Sequence, residues 1–115
     1  MRFLMMMYET KEWAGVADED KRHVADTAYD WHAELIRLDQ ARATARLMPP
    51  ETATIVRNRG GVIETMDGPY AETKEVVGGI ELVECDSLAQ AQAAAARFPG
   101  LPYSIAIELR PLLEK

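Results

Sequence analysis

The sequence predicts an α+β sandwich in which an antiparallel sheet carries two helices on one face, and three observations lead there. Two stretches repeat apolar residues at helical spacing: Val24, Ala28, Trp31, Leu35 and Leu38 in the first, Leu88, Ala91, Ala95 and Phe98 in the second. Runs rich in apolar and β-branched residues flank and separate them. In chain order the pieces read strand, long helix, hairpin, strand, helix, strand, which is the ferredoxin-like arrangement. With 115 residues, no linker and no repeat, the chain is read as one domain spanning 1–115.

Phe3-Leu4-Met5-Met6-Met7-Tyr8 has no polar residue at alternate positions, so a strand here needs cover on both faces. Glu9 to Ala17 reads as a loop, and Asp18, Glu19 and Asp20 place negative charge where a helix N-terminus is partly positive. A helix is expected from about Asp20 to Ala43. Met48-Pro49-Pro50 breaks any helix because proline lacks the amide donor, which leaves Thr44 to Leu47 as a short extended piece. Thr52 to Arg57 is β-branched, Asn58-Arg59-Gly60-Gly61 supplies turn chemistry, and Val62 to Thr65 completes a hairpin.

Met66 to Glu75 is a polar loop, followed by a strand from Val76 to Cys85. Ser87-Leu88-Ala89-Gln90 has capping-box spacing at the start of the second helix, and Pro99-Gly100 stops it. The last strand, Tyr103 to Arg110, sets Tyr103, Ile105, Ile107 and Leu109 on one face and Ser104, Ala106, Glu108 and Arg110 on the other.

Helices on one side of the sheet cannot cover Met5 and Met7 as well as Leu4 and Met6, so the remaining face needs a lid. A second copy of the chain is the economical one, giving a homodimer with a cleft between stacked sheets. Glu81 is assigned to that uncovered face, opposite Ile80 and Leu82, together with Glu108 and Arg110. Polar groups placed there must be paired or must meet a ligand.

Composition removes several classes of function. The chain holds 13 Lys or Arg and 19 Asp or Glu, a net charge of -6, which argues against direct nucleic-acid binding. Arg37, Arg42, Arg46, Arg57 and Arg59 make a local basic stretch able to attract an anion. Cys85 stands alone, and with only His23 and His32 no Cys/His zinc cluster can form, so neither metal nor cofactor is expected. The opening apolar run of six residues is too short for a signal core or a membrane span, and a cytoplasmic location is expected.

The run Asp67-Gly68-Pro69-Tyr70-Ala71-Glu72-Thr73-Lys74-Glu75 is where chemistry could reside. Asp67 is the candidate acid/base, Lys74 an anion or carbonyl partner and Tyr70 a stacking or proton-donating wall. The plainer alternative is a turn in which Asp67 accepts backbone amides and Gly68-Pro69 set the geometry. His32 lies beside the Trp31 stripe and reads as a hydrogen-bonding residue at the helix flank.

This loop resembles the defining run of the YCII-related family in its DGPF-domain branch, with Tyr70 in place of the usual Phe. Gly78-Gly79 entering a strand, Asp86-Ser87-Leu88 opening a helix, Pro49-Pro50-Glu51-Thr52-Ala53-Thr54 and the closing Ile107-Glu108-Leu109-Arg110-Pro111 extend the resemblance over nearly the whole chain. It implies a dimeric α/β-barrel form of the ferredoxin-like fold in a small bacterial protein, without a common reaction. The His-Asp pair proposed as catalytic in the wider superfamily maps only through Asp67, since Glu9 to Ala17 contains no His. Glu81 stands where the family often has an aromatic residue.

Three functions are weighed. The first is a homodimeric small-molecule-binding module with Tyr70, Lys74, Glu81, Glu108 and Arg110 as contacts alongside Asp67. The second is a cofactor-independent enzyme in which Asp67 moves a proton. The third is an accessory or regulatory protein associated with an extracytoplasmic-function sigma factor, an association the family resemblance suggests.

Overall fold

The computed structural model describes residues 1–70 and 75–114. Its elements are β1 (Arg2–Glu9), α1 (Asp18–Arg37), β2 (Ala41–Arg46), β3 (Thr54–Arg59), β4 (Val62–Asp67), β5 (Val76–Glu84), α2 (Leu88–Ala96) and β6 (Ile105–Pro111). Short 3-10 turns lie at Lys11–Gly15, Pro50–Thr52 and Leu101–Tyr103. Four strands form one antiparallel sheet in the order β2-β5-β1-β6, while β3 and β4 pair with each other as a separate two-stranded sheet. This is an α+β fold with two helices and an antiparallel sheet, consistent with the ferredoxin-like expectation.

The first helix ends earlier than its composition suggests. Asp39 adopts a left-handed φ of 57° and Gln40 N–H donates back to Leu35 O at 2.9 Å, which turns the chain out of the helix. Ala41–Arg46 then takes the sheet edge beside β5, although alanine and arginine are good helix formers. The backbone of β5 decides this: its N–H and C=O groups need a partner, and Gln40 O already accepts from Glu84 N at 2.8 Å. The expected extended piece is therefore a full edge strand, and the hairpin stands outside the main sheet.

The second helix starts as its spacing predicts. Ser87 Oγ accepts from Gln90 N at 3.1 Å, and Gln90 Oε1 reaches back to accept from Asp86 N at 2.7 Å. Ser87→Ala is expected to lower stability by about 1 kcal/mol. A urea titration checks this, with the midpoint falling while the slope stays fixed.

The core lies between the helices and one sheet face. Phe3 and Met5 of β1, Val83 of β5 and Ile105 of β6 meet Val24, Trp31 and Leu35 of α1 and Ala91, Ala94, Ala95 and Phe98 near α2. Small alanines let α2 approach closely enough for Trp31 Nε1 to donate to Ala94 O at 3.0 Å. Trp31 and Phe98 meet edge to face with centroids 5.0 Å apart. Gly100 completes the packing, since a Cβ there would lie 2.5 Å from Phe98 Cε2 and 2.8 Å from Ile105 Cδ1.

Register corrects one assignment. Met5 pairs with Glu81 on one side and Leu109 on the other, so Glu81 shares the helix-covered face with Met5 rather than the open one. Leu4, Met6, Ile80 and Leu82 share the open face with Glu108 and Arg110. Alternation separates the two faces of a strand but does not say which one a helix will cover. The fold turns Glu81 inward, where His32 on α1 supplies a polar partner.

Candidate functional site

Glu81 is fully buried, the one charged side chain in the core of the described residues. Its Oε1 lies 2.8 Å from His32 Nδ1 on α1, and its Oε2 has no hydrogen-bond partner. Thr44, its cross-strand neighbour on β2, sends its hydroxyl instead to Ile80 O at 3.2 Å. Burial pushes the Glu81 carboxyl above its ordinary value, against the opposing pull of His32 and nearby Thr44. The imidazole is only partly covered, with 25% of its side-chain surface exposed.

That exposure opens into a cleft of about 300 Å³ between α1 and the sheet. Met7, Val24, Ala28, Trp31 and Phe98 give it apolar walls, and His32 with Glu81 forms its inner polar end. At the mouth stand Glu9, Lys21 and Arg46, and a second groove continues from them toward Pro49 and Pro50. Gly78 and Gly79 keep the floor low. A Cβ on Gly78 would lie 2.6 Å from Glu9 Oε2, and one on Gly79 would lie 3.3 Å from Ala45 O.

The arrangement has the logic of an oriented base. A carboxylate behind an imidazole fixes the ring and favours the tautomer in which Nδ1–H donates, which leaves Nε2 as an acceptor toward the cleft. Among the described residues the cleft lining includes no cysteine or serine. Cys85 is buried elsewhere in the core, and its burial raises the thiol further from the reactive thiolate. Among the described residues no three His, Cys, Asp or Glu side chains gather to hold a metal ion. No described helix is long and apolar enough to cross a membrane.

The residues singled out from sequence do not converge. Asp67 ends β4, exposed and paired in register with Thr54, and Tyr70 is also exposed; neither lines the cleft. Glu108 and Arg110 form an ion pair with each other on the open face, on the other side of the sheet from Glu81. Lys74 lies outside the described residues. Of the described members of that set only Glu81 enters the cleft, and its partner is His32, which the sequence favours as a structural histidine. The missed signal was joint: an imidazole beside the Trp31 stripe and a carboxylate inside an apolar strand each ask for the other.

A family model described as YCII-related domain matches residues 1–111. A relative from Rhizobium meliloti (strain 1021), the uncharacterized protein R00369, is 33% identical over 104 residues, covering 90% of this chain and 82% of that protein.

Proposed function

We propose, on the premise that this chain belongs to the YCII-related family, that it is a homodimeric small-molecule-binding module whose ligand enters the cleft between α1 and the sheet. The observation that carries the reading is the buried Glu81–His32 pair at the end of an apolar cleft. A buried carboxyl with one oxygen unpartnered costs stability, and natural cores rarely retain such a group without use. The cleft is at the small end of the size range of ligand pockets and has their usual make-up of apolar walls with a few polar groups. The test is a thermal-shift screen with a panel of small organic acids, amines and amides. Hits are expected to raise the melting temperature of the wild type and to lose their effect on His32→Gln. A panel that shifts nothing, with a protein partner recovered from native lysate, would favour the accessory-protein function instead.

The proposed partner is a second copy of the chain. Leu4, Met6, Ile80 and Leu82 line up across neighbouring strands on a face that neither helix covers, and such a surface is unfavourable in water. Met6→Lys is expected to convert a dimer to a monomer in light scattering. A wild-type protein that is monomeric at tens of micromolar would end this part of the reading.

A second function is favoured by the 2.8 Å contact between His32 Nδ1 and Glu81 Oε1. In it His32 Nε2 takes a proton from the bound molecule and Glu81 stabilises the imidazolium that forms. Turnover would then fall by orders of magnitude in His32→Gln while binding persists.

A further inference from the structure

We infer that the cleft is shaped for an amphipathic monoanion, with an apolar body along Val24, Ala28, Trp31 and Phe98 and a carboxylate or similar singly charged group held at the mouth by Lys21 and Arg46. This rests on the cleft being the ligand site and adds the charge and orientation of what it takes.

Four observations support it. Neither Lys21 nor Arg46 makes an ion pair among the described residues, which they share with Lys11, Arg22 and Arg97, but of these five only Lys21 and Arg46 line the cleft. Lys21 is held against the Trp13 ring, with Nζ 5.4 Å from its centroid, which keeps its ammonium at the cleft edge. Arg46 sits opposite Gly79 in register on the same sheet face as Glu81, and it lines the cleft. Finally, the one carboxylate at the mouth, Glu9, is laid against Gly78, where it occupies the space a Cβ would fill.

The charge balance follows. Two cations face one carboxylate at the mouth, and the adjoining groove adds Lys11 and Glu51, which cancel. At the inner end, Glu81 is fully buried and its Oε1 lies 2.8 Å from His32 Nδ1, away from the mouth. Among the described residues the mouth therefore carries more positive than negative charge, in a protein whose net charge is -6. A cationic ligand would meet Lys21 and Arg46 on entry, and a neutral one would leave both without a counter-ion.

A matched series separates these cases: 3-phenylpropanoate, 3-phenylpropanamide and 3-phenylpropylamine share one apolar body and differ in charge. Each is titrated at neutral pH into isotopically labelled full-length protein, with the His32 ring resonances and the Gly78 and Gly79 amides followed by NMR. The carboxylate is expected to bind about tenfold more tightly than the amide, with the amine weakest. Arg46→Gln and Lys21→Gln should each remove most of that preference, and added salt should do the same. Both positions are at the molecular surface or partly exposed, so the fold survives these changes. If all three probes move His32 with equal affinity, the anion inference fails while the cleft remains a ligand site. If Arg46→Gln and Lys21→Gln both leave the carboxylate preference intact, it also fails. Should no probe move His32 at all, both the inference and the site beneath it are overturned.

Discussion

His32→Leu is expected to destabilise the protein by about 3 kcal/mol at neutral pH, whereas the double variant His32→Leu/Glu81→Met recovers or exceeds wild-type stability. Removing the imidazole strands a carboxyl that is already fully buried and already has one oxygen without a partner. Removing both partners leaves an apolar surface that continues the Met5, Trp31 and Phe98 packing. The contrast between single and double variants, read in urea titrations, isolates the pair from the packing around it. A single variant as stable as the wild type would show that Glu81 does not depend on His32.

The same carboxyl gives the pH dependence a definite sign. Its folded-state value is raised from the ordinary 4.5 by burial, so between the two values the native state binds more protons than the unfolded chain. Glu81 therefore contributes fully below about pH 4.5, and its contribution is lost as pH rises through the raised folded value. In His32→Leu the imidazole no longer opposes that rise. The destabilisation of the single variant should shrink between pH 7 and pH 5 and widen again on returning to neutral pH. Melting temperatures of both proteins across that range decide it, and a gap that grows on acidification would reverse the assignment.

The other large effect belongs to the core. Phe3 is fully buried at the centre of the sheet, paired in register with Val83 and Pro111. Phe3→Ala is expected to cost about 3 to 5 kcal/mol, the sum of lost burial and the void left behind. For a domain with about 5 to 15 kcal/mol in total, that is enough to populate the unfolded state near body temperature. Chemical denaturation measures it directly. A loss below about 1 kcal/mol would mean that the surrounding helices collapse into the space.

Much of the architecture was legible because it rests on local physics. Ser87 and Gln90 cap a helix through their own side chains, and Trp31 with Leu35 on α1 and Ala91 with Ala95 on α2 fall at helical spacing whatever surrounds them. Gly60 and Gly61, with φ of 60° and 88°, make the hairpin turn that their chemistry predicts. Ala41–Ala43, the first half of β2, was illegible for the opposite reason. Its residues favour a helix, and only the unpaired edge of β5 makes it a strand.

The candidate site divides in the same way. The amino-acid order alone specified two amphipathic helices, the apolar β1, the hairpin and the strands at Val76 and Ile105, because periodicity, capping and turn chemistry act between near neighbours in the chain. Tertiary structure alone decided that Glu81 turns inward, that His32 waits there 49 positions away in sequence, and that Lys21 and Arg46 stand together at the mouth. These are contacts between a helix face and a sheet face, and they come into being only when burial of the shared core brings the two together.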